Sequence, residues 1–309
     1  MIPLFPKFKA IKLEDGKSIR KYAAQHHPYS DFNFTNLWMW DTTRKRKISM
    51  LNGNLVVLFT DYLTNEPFLS FLGSRRCEET ARALIDFARA TGISPVLRFV
   101  TEESLPELRK TSLNVEEDND SFDYVYKVSR LADPLGNKLK EKRHLANRFP
   151  REYPNAKFES RALNDSVMQG RIVSVVRRWE NRKKYQNKAY NLEHEERAIH
   201  RLLTNARTLG REGTLILSGV FLNEEMLGFS VDEVVSDNYA ISHLIKADNS
   251  YKGIYEFINE RVAEHLAANN VKFWNWQQDL GIKGLRDTKK SYGPVHFLKK
   301  YSVSDFSRG

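Results

Sequence analysis

A chain of 309 residues, 41% hydrophobic and 12% aromatic, is long enough for two domains and apolar enough to bury a sizeable core, which excludes a disordered polyelectrolyte. The 49 Lys+Arg against 39 Asp+Glu leave a net charge of +10, favouring polyanionic partners such as RNA or an acidic membrane surface over acidic ones. A single cysteine, Cys77, excludes an intramolecular disulfide framework and a Cys-based zinc cluster and fits a reducing compartment, so a cytoplasmic protein is expected. No run approaches the roughly 18 apolar residues of a membrane-spanning helix, and the opening MIPLFPKFKAIKLEDG lacks the apolar centre of a signal peptide.

In chain order, the pattern predicts a short strand at Phe8 to Leu13, a helix from Asp15 to Gln25 and an aromatic-rich helix starting near Asp31. Tyr29, Phe32, Phe34, Trp38 and Trp40 in that stretch read as core between helix and sheet. Asn52-Gly53 between two apolar runs is a strong hairpin signal, and EPFLSFL supplies a third strand. CEETARALIDFARATG opens with acids, keeps Ala81, Leu84, Ile85 and Ala88 on one face and ends at Gly92, as an amphipathic helix should. A strand (SPVLRFV), a helix (EESLPELRK) and a strand (SFDYVYKV) follow, giving a layered α/β arrangement.

Composition changes over residues 131–157, where prolines flank a basic helical run, and this stretch is read as a linker between domains at 1–130 and 158–309. Two amphipathic helices (DSVMQGRIVSVVRRWENRKK and LEHEERAIHRLLTNARTLG) precede three strands, TLILSGVFL, MLGFSVDEV and NYAISHLIKA, the first two joined by a turn at Asn223 to Glu225. A helix (YKGIYEFINERVAEHLAANN), a strand (VKFWNW), a short helix (GIKGLRDTKKSY) and a last strand (VHFLKKY) complete the chain.

Three constellations could carry chemistry. In NWQQDLGIKGLRDTKKSYGP, Arg286 and Lys290 lie four apart and share a helix face suited to an anion, with Asp279 just before them; the same residues also fit a helix cap and a solvated face. In DNSYKGIYEFINE, Gly253 opens a helix directly after a strand and aims N–H groups at a possible pyrophosphate, with Lys252 adding charge. The third is the basic tract from Asn137 to Ser160 and from Arg171 to Lys188, whose interleaved Phe149, Tyr153, Trp179 and Tyr185 could stack on nucleobases. The histidines show no metal-binding spacing, so no metal is expected, and His243, sharing a strand face with Ile241 and Ile245, fits a satisfied core histidine better than a general base. Trp274 and Trp276 alternate on a strand, as packed core residues do.

PYSDFNFTNLWMW (28–40), LGNKLKEKRHLANRFPREYP (135–154) and NWQQDLGIKGLRDTKKSYGPVHFLKKY (275–301) together resemble the C-terminal domain of phosphatidylglycerol lysyltransferases, the last segment most specifically. The resemblance implies two tandem GNAT-like acyltransferase domains, each a mixed, mostly antiparallel sheet flanked by helices, joined by a basic helix. It implies transfer of an aminoacyl group from aminoacyl-tRNA, or of an acyl group from acyl-coenzyme A as in GNAT relatives more broadly, to an amine or hydroxyl acceptor. The lipid-modifying members carry a multi-span membrane region that this sequence lacks, and KADNSYKGIY offers one glycine where the usual GNAT pyrophosphate loop has more, which favours aminoacyl-tRNA over coenzyme A. On this reading Asp279 is the base or acceptor-orienting acid, and Arg286, Lys290, Tyr292 and His243 contact substrate. Lys252 and Gly253 face carrier phosphate, while Arg143, His144 and Arg148 face tRNA or an anionic lipid headgroup. A non-catalytic RNA- or membrane-surface-binding module and a small-molecule N-acetyltransferase are the alternatives.

Overall fold

The computed structural model describes residues 1–134, 139–163, 166–183, 192–212 and 214–305. Its first unit comprises Met1–Asp123, Glu193–Arg201 and Leu298–Gly309. The chain enters through β1 (Lys9–Ala10), α1 (Gly16–Ala23) and α2 (Phe34–Met39). The strand predicted to reach Leu13 stops after two residues, because the Asp15 carboxylate accepts from Lys9 Nζ at 2.6 Å and from the Lys12 amide at 2.9 Å and turns the backbone toward α1. Strands β2 (Lys47–Leu51), β3 (Asn54–Thr60) and β4 (Pro67–Leu72) form an antiparallel meander with β1 at its edge. Asn52 and Gly53 both take left-handed backbone (φ 54° and 81°), the conformation a two-residue type I′ turn requires.

Helix α3 (Cys77–Thr91) buries Cys77, Thr80, Ala81, Leu84, Ile85 and Ala88, the stripe its period predicts, and ends where Gly92 turns left-handed. It covers a core shared with Val56, Leu69, Phe71, Leu97 and Val100. Strand β5 (Leu97–Thr101) and helix α4 (Leu105–Leu108) follow, then β6 (Asn114–Glu117), whose Asn-Val-Glu-Glu sequence carries no strand signal; Lys300–Ser304, the chain's last strand, pairs between β5 and β6. Of the aromatic stretch, Tyr29, Phe32 and Phe34 are buried, whereas Trp38 and Trp40 are half-buried.

The second unit comprises Tyr124–Leu192 and Leu202–Phe297. In order it carries β7 (Asp123–Lys127), α5 (Val128–Ala132), α6 (Lys140–Glu152), β8 (Lys157–Ala162), α7 (Ser166–Lys183), the ends of α8 (Leu192–Thr204), α9 (Ala206–Glu212), β9 (Thr214–Leu222), β10 (Glu225–Ser236), β11 (Tyr239–Ala247), α10 (Ile254–Ala268), β12 (Phe273–Asn275), α11 (Lys283–Ser291) and β13 (His296–Leu298). The strand predicted as VHFLKKY breaks at Lys299 into β13 and β14 (Lys300–Ser304). The basic run thus forms α6, and β8 is a strand over residues that, past the linker's last residue Lys157, the sequence pattern assigned to no element. Seven strands align as β13-β7-β12-β11-β10-β9-β8, mostly antiparallel, with β11 and β12 parallel. Trp274, Tyr124, Tyr126, Phe149, Ile258 and Leu266 anchor the core beneath α5, α6 and α10. Tyr185 of the basic tract lies outside the described residues.

One buried charge cluster organises the first unit. Lys300 is fully buried, with Nζ 2.7 Å from Asp123 Oδ1 and also paired with Asp31 Oδ2. Asp123 further accepts from the Ser30 amide and hydroxyl, each at 2.7 Å. Burial alone would lower the Lys300 pKa, but the carboxylates of Asp123 and Asp31 raise it, so the ammonium stays charged. The cluster ties the entry to α2, the start of β7 and the last strand together across distant sequence. Removing one partner of a buried pair leaves uncompensated charge, so Lys300→Met is expected to cost about 3–5 kcal/mol of unfolding free energy, measured by urea titration.

Candidate active site

The parallel pairing of β11 with β12 lasts three residues, Tyr239–Ile241 against Phe273–Asn275, while β11 runs on to Ala247. The chain leaves β12 because the Asn275 side chain accepts from the Gln277 amide at 2.6 Å and Gln277 takes φ 59°. Leu280 (φ 58°) and Gly281 (φ 71°) complete the turn away from the sheet, which therefore forks beyond Ile241. Lys289 of α11 holds the departing segment through its ammonium, donating to the carbonyls of Trp276 and Gln278 at 2.6 Å each and of Gln277 at 3.2 Å.

Asp279 lies in this segment and is fully buried. Its Oδ2 accepts from the Tyr124 hydroxyl at 2.6 Å and from Arg286 Nε at 2.8 Å, and its Oδ1 from Arg286 Nη2 at 2.8 Å and the Gly281 amide at 2.9 Å. Burial would raise this carboxyl, but Arg286, Tyr124 and Gly281 together hold it below the usual carboxylate range. A carboxylate so engaged is a weak proton acceptor and a strong anchor: it fixes the Arg286 guanidinium, whose side chain stays 30% exposed. The helical spacing set Arg286 and Lys290 on one face; in the structure Lys290 is exposed, while Arg286 is committed to Asp279. Tyr292 is buried, its hydroxyl accepting from Asn259 Nδ2 at 3.1 Å and its ring carrying the Lys142 ammonium 4.6 Å from the centroid. Trp274 and Trp276 pack edge to face, with Trp276 also against Tyr126 and Tyr292.

On β10 and β11, next to the fork, lies a buried polar cluster. His243 Nε2 sits 2.9 Å from Glu233 Oε2, and both side chains are essentially fully buried. Asp232 accepts from Ser230 Oγ at 2.6 Å and from the indole of Trp274 at 2.9 Å. Burial pushes the Asp232 carboxyl up to about 6 against the lowering effect of those donors. Lys246, also buried, stacks its ammonium 3.8 Å from the centroid of Trp179. Of these, only His243, Trp179 and Trp274 stood out in the sequence. The signal available for the rest was the run of polar residues Ser230, Asp232 and Glu233 inside an otherwise apolar strand.

The phosphate expectation meets a different environment. Gly253 takes φ 83° at the start of α10, and a Cβ there would lie 2.2 Å from the Leu145 carbonyl oxygen of α6. The glycine is thus required by the close approach of α6; Lys252 is exposed. On α6 itself, Arg143 donates to the Pro134 carbonyl at 2.8 Å, Arg148 pairs with Glu152 at 2.5 Å, and His144 is exposed. Among the described residues no group of three or more His, Cys, Asp or Glu is placed to hold a metal ion, and no helix is long and apolar enough to cross a membrane.

A mixed α/β protein of two units, its mostly antiparallel sheets flanked by helices and one of them forked beside buried ionisable groups, is the class this architecture defines. Residues 22–304 match the family model of the phosphatidylglycerol lysyltransferase C-terminal domain, and the chain belongs to that family. Among solved structures it is similar to a conserved protein of unknown function from Bacteroides thetaiotaomicron, with 26% identity, a TM-score of 0.81 and coverage of 98% of this chain and 99% of that one. It also shares its fold with L-PGS from Bacillus licheniformis, at 13% identity, a TM-score of 0.62 and coverage of 96% and 93%. No curated protein sequence matches the chain.

Two outcomes follow from this geometry. Gly253→Ala is expected to lose more than about 1 kcal/mol of stability in urea titration, since it combines a left-handed φ with the Leu145 clash. Asp232 has a folded pKa above its unfolded value, so the folded state binds the extra proton and stability falls as pH rises from about 4 to 6, by up to about 3 kcal/mol. Asp232→Asn is expected to flatten that fall, read from urea midpoints at several pH values.

Proposed function

We propose that this protein is an aminoacyltransferase that carries an aminoacyl group from aminoacyl-tRNA to an amine or hydroxyl acceptor at the β11–β12 fork. Membership of a lysyltransferase-domain family supports an acyltransferase-type function in general. The observation that carries the choice of donor is the Leu145 carbonyl against Gly253: a coenzyme A pyrophosphate would need the N–H groups of a glycine-rich α10 terminus, and here the one glycine is taken up by the close approach of α6. A tRNA carrier needs no such cradle. It needs a cationic surface, and α6 offers Lys140, His144 and Arg151 as exposed residues spaced four and seven apart, on one helical face.

In this reading the acceptor nitrogen or oxygen attacks the ester carbonyl carbon, the acceptor proton passes to a base, and the terminal ribose hydroxyl of the tRNA leaves. In this scheme a backbone N–H of β11 beyond the end of its pairing with β12 donates to the tetrahedral oxyanion. Arg286, oriented by Asp279, together with Lys290 holds an anionic group of the acceptor, such as a lipid headgroup phosphate. Asp279 is a positioning residue in this scheme, and the Glu233–His243 pair stiffens the strand beside the fork.

Calorimetric titration with deacylated tRNA and with coenzyme A tests the donor assignment. Binding of tRNA that weakens steeply between about 50 and 200 mM salt is expected, with coenzyme A silent. Joint Lys140→Glu and Arg151→Glu substitution is expected to weaken tRNA binding at least about tenfold and to reduce the salt slope. Micromolar, salt-tolerant binding of coenzyme A without a tRNA signal overturns the assignment.

A further inference from the structure

The edge of β11 that faces the fork can be followed residue by residue. The Asp248 amide donates to the Leu227 carbonyl beside β10 at 2.9 Å, and the register runs without a shift from Gly228 opposite Ala247 to Val231 opposite Leu244. Backbone groups alternate in direction along an antiparallel pair, so Leu244, Lys246 and Asp248 bond toward β10, while Ile245 and Ala247 turn their amides and carbonyls toward the fork. Strand β12 does not meet them, because its pairing ends at Ile241. Two side chains close this edge at its ends. At the root of the fork the Gln277 side-chain amide donates to the Ser242 carbonyl at 2.5 Å. At the far end the Tyr255 hydroxyl takes both groups of Ala247, accepting from the amide at 3.2 Å and donating to the carbonyl at 3.3 Å. Tyr255 reaches back from the first turn of α10 because the link between strand and helix is tight, the Tyr251 amide donating to the Asp248 carbonyl at 3.2 Å. Between the two caps, the Ile245 amide and carbonyl have no partner on that edge among the described residues.

A bare strand edge is a template for any extended chain of amides. We propose that Tyr255 is a specificity-determining residue of the donor site: its hydroxyl shortens the open edge to the single peptide of Ile245 and shuts out carriers whose arm would pair along β11 through amides in series. Coenzyme A is such a carrier, its thiol joined to its pyrophosphate by a chain with two amides. One amide can meet Ile245. The next groups on the same edge lie two residues on, about 7 Å along the strand, and there a second amide meets the phenol in place of the Ala247 backbone. An aminoacyl ester carries no amides in series and needs only one open peptide. This inference rests on the proposed aminoacyl-tRNA donor and assigns a residue to that choice, on geometry that involves neither Gly253 nor α6.

Calorimetric titration of the whole chain and its Tyr255 variants with coenzyme A tests the gate, with adenosine 3′,5′-bisphosphate, which has the nucleotide and phosphates but no amide arm, as the control probe. The wild-type chain is expected to be silent. Tyr255→Ala is expected to bind coenzyme A at least about tenfold more tightly than the limit set by the wild type, with no gain for the bisphosphate. Tyr255→Phe keeps the ring in place and removes only the hydroxyl, so amide hydrogen exchange followed by NMR is expected to show Ala247 exchanging at least about tenfold faster than in the wild type, with Leu244 and Lys246 unchanged. If Tyr255→Ala does not fold, this exchange measurement decides. Silence of a folded Tyr255→Ala variant toward coenzyme A, an equal gain for the bisphosphate, or unchanged Ala247 exchange in Tyr255→Phe each overturns the gate and leaves the tRNA donor standing. Coenzyme A binding by the wild-type chain overturns both.

Discussion

The second unit depends on how briefly β11 and β12 stay together. A parallel pair normally continues for as long as both strands remain extended. Here Asn275 captures the next amide but one, and three left-handed residues within five positions carry the chain out of the sheet. Such backbone persists only where the surroundings over-determine it. The surroundings do so twice, through the Lys289 ammonium on three successive carbonyls and through the Asp279–Arg286 pair with its Tyr124 and Gly281 donors. Both clamps come from or lead to α11, so the short basic helix is as much a fastener of the fork as a charged surface. Strain and buried charge coincide there, and such coincidences mark functional-site candidates.

The sequence made the regular parts legible and concealed the partners. Helix α3 and the Asn52-Gly53 hairpin appear as expected because their determinants are local: an apolar stripe, a terminal glycine and a turn that demands left-handed residues. Asp279 and Arg286 were visible as chemistry, but their bidentate pairing was not. A seven-residue separation across a turn and the start of a helix gives no geometry until the turn is known. Lys289 was hidden between Arg286 and Lys290, which the helical spacing singled out, although it is the lysine that points inward. The Glu233–His243 pair lies across a register shift between Val231 and Asp232, and a bulge of that kind has no reliable sequence mark. Lys300, between a lysine and a tyrosine, looks like surface; only tertiary structure brings Asp31 and Asp123 to it. In each case the missed information is a long-range partner rather than a local conformation.

Both units carry a long helix after a core strand, the position at which a helix terminus can receive phosphate, and in both a group from elsewhere in the same unit packs at its first residues. At α3 the Glu107 carboxylate accepts from the Cys77 and Glu78 amides at 2.8 and 2.9 Å, so an internal anion already fills the place an external one would take. At α10 the Leu145 carbonyl oxygen instead stands where a side chain of residue 253 would begin, so the glycine serves helix packing. A phosphate arriving at the α3 end would have to displace a bonded carboxylate, and would gain only what that carboxylate loses. The two termini are settled by unrelated means, a side-chain carboxylate in one unit and a close backbone approach in the other, so they do not follow from one shared motif. On the proposed reading, recognition of a phosphorylated carrier rests on cationic side chains rather than on the α3 terminus. Side chains at the surface act through charge and are screened by salt, whereas a buried cradle acts through shape and hydrogen bonds and is not. Salt dependence of carrier binding is therefore the property that separates the two kinds of recognition in this fold.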